Sequence, residues 1–280
     1  MREAARECVG EIARREQKRG ENRAEIIMTE LIARRDDLPV PLPPVPLPMP
    51  VLLSFVAGYL DSYTYLSLFG LFAAQVTGSF VIAGAEFVTS DFGIAGKILA
   101  IAAFLIAAVA TTALILSAGE ARRAALPWML ALEALLLAIF AAIVVFGPAL
   151  SDARDWHGIV AGIFAAMAMG AQSVVVRLLM KDVPQTNVMT GNMTQLGIAV
   201  TELLMTRRRF AGDPNGAAAN RAVAEVRARL LTVLSITVGF LAGAASGAVA
   251  FATTGLNGAL VAVAIVATLA LWALVRQQRG

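Results

Sequence analysis

From residue 51 onward apolar residues run with few interruptions, and short polar clusters divide them into eight segments: 51–69, 71–88, 96–118, 127–147, 158–180, 187–205, 230–253 and 257–275. Several consecutive apolar runs of about 18–22 residues exceed what the core of a soluble fold can enclose. At about 1.5 Å per residue, about 20 residues span a hydrocarbon layer of about 30 Å, so each segment is long enough in principle to cross. The predicted fold class is an all-α polytopic membrane protein.

Positive charge then orders the segments. Arg122 and Arg123 follow the third, the run 207–209 with Arg221, Arg227 and Arg229 follows the sixth, and Arg276 and Arg279 close the chain. The positive-inside bias assigns all of these to the cytoplasm, while the loops 151–158 and 253–258, nearly free of Arg and Lys, face outward. With the nine basic residues before residue 39 also inside, the second segment must enter and leave on the outer side. Arg177 and Lys181 place the sixth in the same position on the inner side. Six transmembrane helices plus two broken or re-entrant segments result, in an inverted 3+3 repeat of the kind found in transporters. The alternative is eight spans in a parallel 4+4 repeat, which leaves Arg122, Arg123, Arg177 and Lys181 outside.

The two segments that do not cross carry a shared phrase, VTGSFVIAG (76–84) and MTGNMTQLG (189–197). Ahead of them stand AGYLDS (57–62) and MGAQSV (169–174), with Gly58 19 positions before Thr77 and Gly170 20 before Thr190. Thr77, Gly78, Ser79 and Thr190, Gly191, Asn192 suit a broken helix better than an uninterrupted one, because Gly loosens the backbone and Ser or Asn competes for its hydrogen bonds. Such breaks are tolerated beside a cavity or neighbouring protein, where freed N–H groups can meet a polar or anionic solute. Close packing by small residues is the competing reading, toward which Gly84 and Gly197 lean along with Gly58 and Gly170.

Asp61 lies inside the first segment, where an ionised carboxylate costs at least about 2.5–3.5 kcal/mol, so it is protonated, paired or facing water. That makes it a candidate proton-coupling residue. Its counterpart in the second half is Ser173, beside Gln172, so the path has one titratable and one neutral polar side. Glu86, Glu133 and Glu202 fall within a turn or two of segment ends and read as boundary residues.

The composition agrees with this class: 280 residues, 58% hydrophobic and 15% charged, with mean hydropathy +0.73. The net charge of +3 is gathered beside the apolar runs rather than along an aromatic-laced stripe, so no nucleic-acid partner is expected. One Cys and one His leave no Cys/His metal site, no cofactor signature and no nucleophile with its base; an enzyme is not expected. Residues 1–38 hold nine Lys/Arg and nine Asp/Glu and read as a poorly ordered charged segment, followed by a Pro-rich spacer at 39–50. The first membrane repeat is then 51–147, the external loop 148–157, the second repeat 158–275 with a basic cytoplasmic loop 206–229, and the tail 276–280. No cleavable signal follows Met1, so the first apolar run directs insertion.

GYLDSYTYL followed by TGS, with GAQSVVVRLL followed by MTGNMTQLG, resembles the YoaK-like family of bacterial membrane proteins (domain of unknown function 1275) over about residues 51–275. Its pattern falls on Gly58, Asp61, Thr77, Gly78, Gly170, Gln172, Thr190, Gly191 and Asn192. The chain differs at Ser79, where the family commonly has Asn. The charged and Pro-rich start lies outside that pattern, which makes Met28 and Met49 alternative starts.

These readings lead to an inner-membrane (plasma-membrane), multi-pass protein with both termini cytoplasmic. Its expected role is a small secondary transporter or channel-like protein for a small polar or anionic solute, its partners the bilayer and that solute, with a homo-oligomer left open. A membrane scaffold or regulatory subunit is the alternative.

Overall fold

The computed structural model describes residues 46–89, 93–180, 182–210 and 216–279. The charged stretch 1–38, residues 39–45 of the spacer, Asp91 and Lys181 lie outside them, as does the side chain of Arg123. The described residues form α1 (Pro48–Ser67), α2 (Val76–Thr89), α3 (Ile94–Ser117), α4 (Ala125–Phe146), α5 (Trp156–Leu179), α6 (Met189–Arg209), α7 (Ala217–Thr254) and α8 (Ala259–Arg279). Short 3-10 turns, Gly119–Ala124 and Gly255–Gly258, precede α4 and α8. No strand occurs among the described residues. α3, α4, α5 and the run Ala217–Gln278, which contains α7 and α8, are each long and apolar enough to cross a membrane. The all-helical, multi-pass character expected from the hydropathy pattern is therefore present.

Two helix pairs organise the core, α1 with α7 and α3 with α5. On α7, Gly239, Gly243 and Gly247 recur every fourth residue and lie against the carbonyls of Val51, Phe55 and Tyr59 in the same order, so α1 and α7 run parallel. Residues without side chains bring two backbones together where nothing else would fit. Gly58 faces the Phe240 carbonyl, and Gly170 on α5 makes the equivalent contact with the Phe104 carbonyl on α3. A Cβ at Gly84 or Gly197 would meet open space. The packing role expected of all four glycines thus falls, within one chain, to Gly58 and Gly170.

α1 and α5 run in opposite directions, because Gln172 reaches the Leu53 carbonyl near one end while Gly162 lies against Leu68 and Leu71 near the other. Arg122, just before α4, donates to the Leu178 carbonyl at the end of α5, so α4 and α5 are also antiparallel. Tyr59 and Tyr63 stack at 6.1 Å and donate to the Gly258 and Leu256 carbonyls at the turn before α8. Buried aromatic rings with a polar handle fix such a turn, supplying both area and a bonded hydroxyl.

The basic stretch expected as a loop at 206–229 is largely helical. α6 continues to Arg209 and α7 begins at Ala217, because 217–229 is rich in Ala and Arg, both strong helix formers. Glu133, expected at a boundary, is instead fully buried in α4.

Candidate functional site

α1 ends where Leu68 and Gly70 N–H groups bond back to Thr64 and Tyr65 carbonyls, with Phe69 and Gly70 at positive φ of 53° and 80°. Left-handed residues at a helix C-terminus turn the chain sharply. α5 ends in a comparable way: Met180 bonds back to Val176 and Asp182 takes φ 61°. Phe69 and Asp182 are the non-glycine residues with left-handed backbone among the described residues, and each follows the first helix of its half.

After these turns the chain leads back into the protein interior. Residues 73 and 74, and likewise 186 and 187, are buried although they belong to no helix. Non-helical backbone can sit there only if its polar groups find partners. Asp61 supplies them in the first half: its Oδ1 accepts from the Ala74 N–H at 2.7 Å and the Gln75 N–H at 3.2 Å. At the loop before α6, Ser173, which the sequence pattern leads us to expect as the counterpart of Asp61, accepts from Asn187 Nδ2 at 2.6 Å. Gln172 donates to Thr186 Oγ1 at 2.9 Å and to the Leu53 carbonyl at 3.0 Å. Ser54 adds a hydrogen bond to the Thr186 carbonyl. The two tips meet each other, Asn187 Nδ2 lying 3.5 Å from the Ala74 carbonyl.

The Thr-Gly phrases begin the helices that leave these tips. The breaks precede them, at 68–75 and, among the described residues, at 180 and 182–188, rather than falling within them. Their third residues explain the spacing: Ser79 Oγ donates to the Phe72 carbonyl and Asn192 Nδ2 to the Gln185 carbonyl, each seven residues back. Ser79 and Asn192 therefore do the same work, tying the returning loop to the helix it feeds, although they differ in type. Both are buried, while Thr77, Thr190 and Gly191 are exposed and Gly78 is half-buried beneath the Phe72 ring. Of the nine residues singled out for the path, the structure gathers Asp61, Gln172 and Ser173 at the tips. Ser79 and Asn192 brace the loops from behind, and Thr77, Gly78, Thr190 and Gly191 lie at the starts of α2 and α6 without taking part in these bonds.

Three side-chain oxygens at the tips are buried without a partner: Asp61 Oδ2, Gln172 Oε1 and Asn187 Oδ1. All three accept hydrogen bonds, so the centre offers acceptors and uses its donors internally. Among the described residues no group of three or more His, Cys, Asp or Glu is placed to hold a metal ion.

The sequence reading missed Lys97, Thr186 and Ser54. Lys97 is 2% exposed and its Nζ lies 2.6 Å from Glu86 Oε1, with a further hydrogen bond to the Phe69 carbonyl. One cation thus ties α3, the end of α2 and the turn after α1 together. A lysine at the edge of an apolar run, eleven residues after a glutamate, was the available signal. A cavity of about 20 Å³, about the room of one water, adjoins it and is lined by Phe69, Lys97, Asp152 and Asp155. Asp155 caps α5; the His157 backbone N–H it accepts holds its carboxyl below the ordinary value of 3.8. On the opposite half Glu202 and Arg229 make a looser pair at 3.7 Å between α6 and α7. Neither this cavity nor the groove along α6, which includes Met193, Gly197 and Met205, is lined by Asp61, Gln172 or Asn187.

The model of a family described as a protein of unknown function, DUF1275, matches residues 49–273. That range holds both tips, α1 from its second residue, α2 to α7 whole, and α8 up to residue 273. No curated protein and no solved structure matches the chain.

Proposed function

We take as premise that the chain belongs to the DUF1275 family, a family of proteins of unknown function, and we propose that it is a small secondary transporter or channel-like protein of the inner membrane. Six helices cross, α1, α3, α4, α5, α7 and α8, and the halves are an inverted 3+3 repeat. The segment 68–89 dips in from outside and 180–209 from the cytoplasm. Antiparallel α1 and α5 support the inversion. The equivalence of Asp61 with Ser173, and of Ser79 with Asn192, supports the repeat.

The observation that carries the reading is the meeting of two non-helical tips in the buried interior, with unpartnered oxygens around them. Inverted-repeat transporters place their sites at such interrupted helices. Because the unpartnered groups are acceptors, a small polar solute with hydrogen-bond donors fits this centre better than an anion. Asp61 is the proton-coupling residue, with Oδ1 engaged by the loop and Oδ2 left for the solute or a proton. The test is flux of small polar solutes into proteoliposomes under an imposed pH gradient. Proton-dependent uptake that Asp61→Asn uncouples is expected. Absence of flux for every solute tried, with Asp61→Asn leaving all cellular phenotypes intact, would defeat the proposal. Cysteine labelling near residues 91, 122 and 181 tests the six crossings separately: residue 91 should react from outside, the other two from the cytoplasm.

A second reading, a scaffold or regulatory subunit, is favoured by the exposed arginines 207–209, 221, 227 and 229 on α6 and α7. Such a patch attracts anionic lipid or an acidic partner. Copurification of a stoichiometric partner, lost on substituting 207–209 but not Asp61, would select it.

A further inference from the structure

The proton-coupling reading uses Asp61, but the interior holds a second carboxyl. Glu133 on α4 is fully buried and neither of its oxygens has a hydrogen-bond partner. Ionised carboxylates in such surroundings are costly, and intramembrane acids are placed where protons or ions pass. On the neighbouring helix α5, Gln172 is also fully buried, and its Oε1 is without a partner. Both residues occupy the interval between two apolar clusters. One contains Leu130 with Val175 and Val176, the other Leu137 with Ala168 and Met169. A protonated Glu133 needs an acceptor, and Gln172 Oε1 is an unpartnered one at the matching level of α5, while Gln172 Nε2 donates to Thr186 Oγ1 at the second tip.

The depths of the two acids differ. α1 and α4 both run antiparallel to α5 and therefore parallel to each other. At about 1.5 Å per residue Glu133 lies about 12 Å from the start of its helix and Asp61 about 20 Å from the start of its own. The corresponding helices of the second half, α5 and α8, contain no Asp or Glu.

We propose that Glu133 is a second proton-binding residue of the membrane interior, on the cytoplasmic side of the loop tips as Asp61 is on the external side. Its sidedness rests on the six-crossing reading above. The charged and titratable groups with described side chains on the elements packed against α4 are Arg122, His157, Arg177 and Arg276, with Tyr59, Asp61, Tyr63 and Tyr65 on α1, whose Tyr63 ring meets Phe140 of α4. Arg122 donates to the Leu178 carbonyl, His157 pairs with Asp155, Arg276 lies over the Trp272 ring, and Arg177 is exposed at the end of α5. None of them bonds to Glu133.

The experiment is infrared difference spectroscopy of the full chain in lipid nanodiscs, between mildly acidic and mildly alkaline pH. The expected result is a protonated-carboxyl band that Glu133→Gln removes and Glu133→Asp shifts, while Asp61→Asn removes a different one. A spectrum unchanged by Glu133→Gln in the protonated-carboxyl region would overturn the proposal, and the Asp variant gives the same decision should the Gln variant fail to fold. In oriented proteoliposomes carrying Asp61→Asn, the Glu133 band should respond to acid added at the face bearing 207–209; a response only from the opposite face would overturn its placement. A titrating Glu133 band in a protein that moves no solute would sink the transporter reading and leave the proton site standing, so the two failures are separable.

Discussion

Replacing Asp61 separates what its carboxylate does for the loop from what it does for a proton. Oδ1 accepts from the backbone N–H groups of Ala74 and Gln75, both in the returning loop of the first half. Asp61→Ala removes that acceptor and strands two donors, at about 1–3 kcal/mol for each one left unsatisfied in a buried position. The expected loss is therefore roughly 2–6 kcal/mol, a large share of the stability of an ordinary domain. Asp61→Asn keeps an oxygen where Oδ1 stands and loses only the extra strength of a charged acceptor, about 1 kcal/mol per bond. This loss is offset by no longer burying a carboxyl. The assay is unfolding in mild detergent followed by tryptophan fluorescence, paired with amide hydrogen exchange over 72–76. Asp61→Ala should unfold well before wild type and expose the 74 and 75 amides, and Asp61→Asn should stay within about 2 kcal/mol with protection retained. Equal stability of the two variants, with unchanged exchange at 74 and 75, would refute the claim that Asp61 holds the loop.

Three further outcomes follow from the same contacts. Gly243→Ala places a methyl against the Phe55 carbonyl, and the overpacking should cost about 1–3 kcal/mol; Gly84→Ala, which meets open space, should be neutral or stabilising by up to about 1 kcal/mol, and detergent unfolding compares the two. Lys97→Ala removes the cation of a largely buried pair and should cost about 3–5 kcal/mol, with the swap Glu86→Lys plus Lys97→Glu recovering part of it in the same assay. Asp155 has a folded-state pKa below its ordinary value, so its contribution is complete above about 3.8 and fades as pH falls through the lower folded value. The melting-temperature gap between wild type and Asp155→Ala, measured down a pH series, should hold steady above the ordinary carboxylate range and close in acid.

Element type and the two repeated phrases were legible in the chain because both are local. A run of about 20 apolar residues has few alternatives to a helix, and Thr-Gly-Ser or Thr-Gly-Asn marks a backbone interruption nearby. The register of the break was not: Ser79 and Asn192 bond seven residues back, so the interruption lies ahead of the motif rather than inside it. Asp61 stood out as an acid in an apolar run. Glu133 did not, because distance from a segment end says nothing about which side of a helix faces protein. Nothing local singled out Lys97, because its partner Glu86 is brought to it by the packing of α2.

By itself the sequence determined that this chain enters a membrane as helices, where charge should keep its loops, and which residues interrupt the apolar runs. Hydrophobic transfer and helix geometry act over one turn or one segment, and a single chain records them directly. Only the tertiary structure decided that Asp61 and Ser173 hold two loop tips, that those tips touch at Ala74 and Asn187, and that every fourth glycine of α7 admits the carbonyls of α1. The tip-to-tip and glycine contacts pair residues more than a hundred positions apart, while Asp61 and Ser173 reach loops 13 or 14 positions on, across turns whose course the bundle sets. They are set by which helix faces match when the whole bundle packs, a condition no local stretch can specify.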